Sequence, residues 1–223
     1  MASPLRILAC SDLHGLHSGM IASTMDELRP DWIVVVGDVL PDFPRIAGQH
    51  SRLEAQKEFW RVYRRTFLRD GARTTLVLGN HEIEGFSDPE LRRSPNGLEG
   101  RVVRLEGLPA EFGHCGRGWE AEELERELRD QLRVVPEPLI YLSHVPPFGC
   151  LDVTKGGEHV GHHALARHLE ARGWPKTLVV CGHVREGFGC TDRGQTLILN
   201  VAGGFALVQW SPDESRILDL EQE

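Results

Sequence analysis

Cysteine is too scarce and too irregularly placed in this sequence to support a disulfide framework or a structural zinc site. The chain has five cysteines, an odd number, and no two of them stand in a CxxC spacing. Secreted disulfide scaffolds and structural zinc sites both depend on such paired cysteines. We therefore expect reduced cysteines and a cytoplasmic location.

Long apolar runs and an excess of positive charge are also missing. The first residues, MASPLRILACSDLHG, hold an apolar run too short for the core of a signal peptide and far too short for a membrane span. Acidic side chains outnumber basic ones by 33 to 25, which gives a formal net charge of −8. This balance predicts no membrane partner and disfavours nucleic acid as a partner. A phosphate-bearing substrate would need local positive charge from metal ions or a few arginines, and the oligomeric state stays undetermined.

Short apolar runs alternate with helical patterns along the 223 residues, which is typical of a layered α/β protein. No repeat or linker divides the chain, so we predict a single domain over residues 1–223. The candidate strands are Arg6–Ala9, Trp32–Val36, Thr75–Leu78, Leu139–Leu142, Thr177–Val180, Thr196–Leu199 and Phe205–Gln209. The candidate helices are Gly19–Leu28, Ser51–Leu68, Ala121–Leu132 and His163–Ala171. Two segments rich in glycine and proline, Asp88–Gly100 and Pro146–Gly161, are predicted to be long loops.

Side chains that can bind metals follow five of the candidate strands. These strands end in SDLHG, GDV, GNHE, SHVPP and GHVR, which place Asp12, His14, Asp38, Asn80, His81, Glu82, His144 and His183. Open α/β sheets form their ligand crevice at the carboxyl ends of the strands. Residues that are far apart in the sequence are therefore expected to converge there.

The mixture of imidazole nitrogens, carboxylates and one amide oxygen predicts a particular kind of metal. Such a set suits Mn, Fe, Co, Ni or Zn better than Ca or Mg. Two cations about 3.5–4 Å apart are a common device for in-line displacement at phosphorus. Asp38 is the candidate for the bridge between them, and the metals would lower the pKa of a shared water.

The order D-x-H, GD, GNHE, a lone histidine and GH resembles the calcineurin-like metallophosphoesterases. The motifs run from Asp12 to Arg185, most of the chain. The resemblance implies an α/β fold that is a four-layer αββα sandwich, in which helices flank two mixed β-sheets. The stretch GHVREGFGCTDRGQTLILNVAG is also similar to the branch that contains class III cyclic-nucleotide phosphodiesterases. The sequence GDVLPD stands where protein phosphatases continue with YVDRG, so the resemblance disfavours a protein phosphatase.

This resemblance implies a metal-dependent phosphodiesterase that hydrolyses a small or nucleotide phosphoester by means of a metal-activated hydroxide. Two divalent transition metals per chain are implied, with manganese as the first choice. The implied ligands of the first metal are Asp12, His14 and Asp38. Those of the second are Asp38, Asn80, His144 and His183. Asn80 would also hold a phosphoryl oxygen, and His81 would protonate the leaving group.

Arg185 stands where the family has one more histidine ligand for the first metal. A guanidinium has no acceptor lone pair and keeps its charge, so it cannot bind the metal. If residues 183–185 are extended, the side chains of His183 and Arg185 point in one direction. Arg185 would then act as a catalytic phosphate clamp and weaken the first metal site. The alternative is that a turn rotates Arg185 into solvent or into a salt bridge with Glu186 or Asp192.

Further candidates lie in the segment DVTKGGEHVGHHAL. Lys155 and His159 are candidates for substrate contact because the segment follows His144 closely. His159 with His162 has the spacing of a separate metal pair, but such a run more often forms a solvated loop that enters a helix at His163. Asp42 is a candidate for orienting His81, although its spacing from Asp38 differs by one residue from the phosphatase form.

Two other functions stay open at the level of the sequence. A nuclease that acts on nucleic-acid ends is the first, although the acidic charge counts against it. A catalytically weakened protein that uses the fold for binding is the second, and Arg185 is the feature that favours it.

Overall fold

Two mixed β-sheets form the centre of the fold. The structure, a computed structural model, describes residues 4–15, 18–41, 54–62, 73–77, 79–82, 102–105, 108–112, 140–211 and 215–222. The strands are β1 (Leu5–Ser11), β2 (Trp32–Val36), β3 (Arg73–Val77), β4 (Val102–Leu105), β5 (Leu108–Phe112), β6 (Ile140–Leu142), β7 (Thr177–Cys181), β8 (Gly189–Arg193), β9 (Thr196–Asn200), β10 (Gly204–Trp210) and β11 (Ser215–Gln222). The helices are α1 (Ser18–Leu28), α2 (54–62) and α3 (His163–Ala171). One sheet has the order β11-β10-β1-β2-β3 and the other has the order β4-β5-β6-β7-β9-β8.

The main core lies between the two sheets. It combines side chains of β1, β2, β3 and β10 with side chains of β6, β7 and β9. Trp32 and Trp210 are its largest members, and both are almost fully buried. The all-apolar strand β2, with the sequence WIVVV, is buried at every position because core lies on both of its faces.

Helices cover the outer face of each sheet. Met25 of α1 and the aromatic residues Phe59 and Trp60 of α2 pack on the outer face of β1 and β2. Leu165 and Leu169 of α3 pack on the outer face of the second sheet. The layers therefore run helix, sheet, sheet, helix, which confirms the predicted αββα sandwich.

The predicted strands agree with the structure in the buried part of the fold. All seven candidate strands correspond to observed strands, with ends that differ by up to two residues. Strands β4, β5, β8 and β11 were not predicted. Strand β8, with the sequence GCTDR, and strand β11 lie at sheet edges, and both are partly exposed, so neither carries a continuous apolar run.

The predicted helices that the structure describes agree with it, whereas one predicted loop is more regular than expected. Helix α3 has the predicted bounds, and α1 begins one residue earlier than predicted. The segment Pro146–Gly161 is more regular than the predicted loop, because Pro147 pairs with His162 and Val153 with His159. The candidate helix 121–132, the candidate loop 88–100 and most of the candidate helix 51–68 outside α2 lie outside the described residues.

The four described cysteines, Cys10, Cys150, Cys181 and Cys190, are free, as the sequence predicts. None of the helices that the structure describes is long and apolar enough to cross a membrane.

Candidate metal centre

The candidate ligands lie in turns that directly follow parallel strands. Strands β1, β2 and β3 are parallel in one sheet, and β6, β7 and β9 are parallel in the other. The carboxyl-terminal edges of the two sheets meet, because Ser11 at the end of β1 forms a parallel β-bridge to Ala202, which follows β9. Ligand-bearing turns from both sheets therefore share one crevice.

Backbone strain is concentrated in these turns. Four of the seven described non-glycine residues with positive φ are candidate ligands: Asp12 at 55°, His14 at 45°, Asp38 at 51° and His183 at 69°. Such a conformation costs roughly 1–3 kcal/mol per residue and often marks a functional site. The strain indicates that the turns are shaped for the positions of these side chains.

Four ligand atoms converge at the first of two clusters, which we call the His144 cluster. His144 Nε2 lies 3.2 Å from Asp38 Oδ2, 3.1 Å from Asn80 Oδ1 and 3.2 Å from His183 Nδ1. His144 Nδ1 donates a hydrogen bond to the carbonyl oxygen of Val36 at 2.8 Å. In the neutral ring, Nε2 is then a lone-pair acceptor that faces other acceptors. A cation among the four atoms would satisfy all of them, so the residues fit a divalent metal.

The charges and burial at the His144 cluster also change the pKa values of its members. Burial opposes protonation of His144, but the hydrogen bond and charge of Asp38 outweigh burial and raise the pKa of His144 to about 9. Burial would raise the pKa of Asp38, but the hydrogen bond and charge of His144 lower it below its usual value. Burial and the charge of His144 lower the pKa of His183. A metal and a proton therefore compete for His144 Nε2, and metal binding should release protons.

His14, Asp38 and His81 form a second group, which we call the His14 cluster. Their ligand atoms lie within 4.8 Å of one another, and Asp38 belongs to both clusters. The rings of His14 and His81 pack edge to face at 4.9 Å between centroids. His14 Nδ1 is buried and has no hydrogen-bond partner among the described residues, as expected for an atom that awaits a ligand. Burial lowers the pKa of His14, and the charges of His81 and Arg185 lower it further against the opposing effect of Asp38.

Asp12 is buried directly after the end of β1 and is not a member of either cluster. Its Oδ2 accepts hydrogen bonds from Ser11 Oγ at 2.6 Å and from the backbone amide of His183 at 2.8 Å. These bonds hold the His183 turn against the end of β1. Asp12 is thus held close to the site, and its role as a ligand of the first metal stays a prediction.

The condition that residues 183–185 are extended is not met: the alternative, a turn that leaves Arg185 exposed, is the conformation in the structure. His183 has φ 69°, and Arg185–Gly187 form a 3-10 turn, so the alternation of side chains does not apply. Arg185 Nη2 nevertheless donates a hydrogen bond to the carbonyl oxygen of Asp12 at 3.1 Å. Its guanidinium rests against Gly203, where an added Cβ would lie 3.0 Å from Arg185 Cζ. Within the described residues, no ion pair joins Arg185 to Glu186 or Asp192.

Glu82 is a site residue to which the sequence assigned no role. Its carboxylate is 1% exposed and accepts three backbone hydrogen bonds: from Asp38 and Gly79 at Oε2, and from Leu40 at Oε1. Burial and the negative charge of Asp38 raise the pKa of Glu82 to about 7. The position of an acid at the end of the GNHE motif was the available signal, but its backbone partners cannot be identified from the motif.

The segment after His144 does not form a separate metal pair. His162 caps α3, because its Nδ1 accepts a hydrogen bond from the amide of Leu165 at 3.3 Å. His159 Nδ1 lies 2.8 Å from Oδ1 of the fully buried Asp152. His163 stacks on Phe148 at 3.8 Å between centroids. Lys155 is exposed, and Asp42 lies outside the described residues.

Comparisons with known proteins agree with this geometry. A family model described as calcineurin-like phosphoesterase matches residues 5–186. The chain is 31% identical over 125 residues to the UPF0046 protein T07D4.2 of Caenorhabditis elegans, a match that covers 52% of this chain and 30% of that protein. It is 32% identical over 104 residues to metallophosphoesterase domain-containing protein 1 of Homo sapiens, which covers 46% of this chain and 31% of that protein. These matches span less than a third of each relative's length.

A solved structure extends the comparison to nearly the whole chain. The structure of a dimetal phosphatase from Danio rerio superposes with a TM-score of 0.69 at 14% identity. The superposition covers 97% of this chain and 96% of that one. At this level of identity the likeness shows a shared fold.

Proposed function

The chain belongs to the calcineurin-like phosphoesterase family, and on this premise we propose that it is a metal-dependent phosphodiesterase of small or nucleotide substrates. The observation that carries the proposal is the His144 cluster, where Asp38, Asn80 and His183 direct acceptor atoms at His144 Nε2. Two imidazoles, one carboxylate and one amide oxygen suit Mn, Fe, Co, Ni or Zn. Manganese is the first metal to test.

The side chains around the cluster suit hydrolysis of a phosphoester. A divalent cation held there would lower the pKa of a water and withdraw charge from the phosphoryl oxygens. Asn80 directs its Oδ1 at His144, which leaves its amide hydrogens to donate to a phosphoryl oxygen. His81 has a side chain that is 32% exposed, so a substrate can reach it, and its ring can give a proton to the leaving oxygen.

Hydrolysis of a diester and of a phosphopeptide by the purified chain tests the substrate class. With Mn²⁺ added, we expect turnover of bis-p-nitrophenyl phosphate to exceed dephosphorylation of phosphoserine peptides. The reason is the sequence GDVLPD, which departs from the protein-phosphatase motif. A preference for the phosphopeptide would overturn the substrate class, and absence of turnover with metal bound would favour the binding protein described below.

Arg185 is proposed to grip the phosphoryl group and to weaken metal binding at the His14 cluster. One of its five N–H donors is used on the carbonyl of Asp12, which leaves donors for phosphoryl oxygens. Its charge reaches His14, since it contributes to the lowered pKa of that ring. A second cation at the His14 cluster would meet this fixed positive charge.

Replacing Arg185 by histidine should move metal affinity and substrate affinity in opposite directions. The variant Arg185→His removes the repulsive charge and adds a ligand, so a second equivalent of Mn²⁺ should bind about 10- to 100-fold more tightly. Loss of a charge-assisted hydrogen bond to phosphate should raise the Michaelis constant by about 10-fold. Calorimetric titration with Mn²⁺ and steady-state kinetics measure both effects.

The matched control is Arg216→His, which changes an exposed arginine on β11. It should alter neither metal affinity nor the Michaelis constant. If Arg185→His behaved like this control, Arg185 would have no part in the site.

A binding protein with a weakened metal site is the second candidate function. The contact between Arg185 and the carbonyl of Asp12 favours it, because this contact places a permanent cation beside the His14 cluster. This candidate predicts Mn²⁺ binding at the His144 cluster without turnover of bis-p-nitrophenyl phosphate.

A further inference from the structure

Glu82 connects the two turns that carry Asp38 and Asn80. Its Oε2 accepts hydrogen bonds from the amides of Asp38 at 2.9 Å and Gly79 at 2.7 Å, and its Oε1 accepts one from Leu40 at 2.9 Å. Two of these donors belong to the turn after β2 and one to the turn after β3. A single buried carboxylate therefore holds both turns together.

Asp38 is held by hydrogen bonds in both directions: its amide donates to Glu82, and its side chain accepts from the residue next to Glu82. Glu82 accepts the amide hydrogen of Asp38, and Asp38 Oδ1 accepts the amide hydrogen of His81 at 2.9 Å, the residue next to Glu82. With Oδ1 occupied in this way, Oδ2 faces His144 Nε2 at 3.2 Å. The orientation of the Asp38 carboxylate is therefore fixed from both its main chain and its side chain.

The chemistry of this contact requires a carboxylate. Three N–H donors point at the side chain of Glu82, and only a carboxylate offers acceptors at both oxygens. A glutamine would present its own N–H groups to at least one of these donors. The two turns are also packed closely together, since a Cβ at Gly79 would lie 2.5 Å from the amide nitrogen of Asp38.

We infer that Glu82 is a positioning residue, which sets the metal affinity of the site by holding Asp38 in its left-handed conformation. The inference rests on the proposed metal site. The hydrogen bonds that Glu82 accepts come from backbone amides, so it acts through the backbone of Asp38 and not as a ligand itself. Partners of this kind typically change metal affinity by about 10- to 100-fold when they are mutated.

The test compares Glu82→Gln with Asp152→Asn. Asp152 is also a fully buried carboxylate that holds backbone amides, those of Gly149 and Gly161, each at 3.0 Å. Its third partner, His159, is not a member of either cluster. Both variants should lower the melting temperature. Only Glu82→Gln should weaken binding of Mn²⁺, by about 10- to 100-fold, and should change the visible absorption spectrum of the Co²⁺-loaded protein.

The following results would overturn the positioning role of Glu82 or the proposed metal site. If Glu82→Gln bound Mn²⁺ as tightly as the wild type and kept the wild-type Co²⁺ spectrum, the inference would be overturned. It would also be overturned if Asp152→Asn lost as much Mn²⁺ affinity as Glu82→Gln. If Glu82→Gln does not fold, Glu82→Asp takes its place, because the shorter side chain keeps the charge but cannot reach all three amides. That variant should bind Mn²⁺ about 10-fold more weakly, and affinity equal to wild type would contradict the inference. Failure of the wild-type protein to bind Mn²⁺ would instead refute the proposed metal site.

Discussion

Replacing Asp38 by asparagine should remove tight metal binding and lower diester hydrolysis by at least about 10³-fold, because a metal contributes several kcal/mol to transition-state stabilisation. Asp38 is the one residue common to both clusters. The substitution Asp38→Asn keeps an oxygen for the amide of His81 but removes the negative charge that faces His144. The change should therefore act on the cation more than on the fold. Metal analysis after dialysis, together with turnover of bis-p-nitrophenyl phosphate, measures both effects.

Asp192→Asn serves as the control for this variant, since it makes the same chemical change at an exposed position on β8. It should retain both metal and activity. Full metal content in Asp38→Asn would contradict the assignment of Asp38 as a ligand.

Replacing His81 by alanine should slow hydrolysis of substrates with poor leaving groups by about 10²- to 10⁴-fold, the range that general acid catalysis supplies. A p-nitrophenolate departs without protonation, so bis-p-nitrophenyl phosphate should be affected much less. A nucleoside cyclic phosphate, which must release an alkoxide, is the matched substrate. The difference between the two rate reductions measures the contribution of the proton donor.

His168→Ala provides the comparison for His81→Ala. His168 lies on α3 and contacts the hydroxyl of Tyr141 at 3.2 Å, on the outer face of the second sheet. Its removal should affect both substrates equally, if at all. Equal slowing of both substrates in His81→Ala would argue against the acid role and for a role in orienting Asn80.

The positions of the candidate ligands could be predicted because each follows an apolar strand. Strand β2, with five consecutive apolar residues, has no other stable place than the interior, and Asp38 follows it within two residues. The same reasoning holds for His144 after β6 and His183 after β7. Convergence of these residues then follows from the parallel arrangement of the strands.

The conformations of the turns could not be predicted in the same way. His183 has a positive φ, and its amide donates to Asp12, 171 positions away, a bond that no local pattern encodes. This single conformation invalidates the alternation argument for Arg185. The partners of Glu82 and Asp152 were missed for a related reason, since buried carboxylates bind backbone amides that every residue but proline carries.

Crystals grown with Mn²⁺ and phosphate would test the central claim most directly, through the anomalous scattering of manganese. We expect a strong peak bonded to Asp38, Asn80, His144 and His183, a weaker one beside His14, and phosphate oxygens within reach of Arg185. A strong peak at another location, or none among these four ligands, would contradict the account.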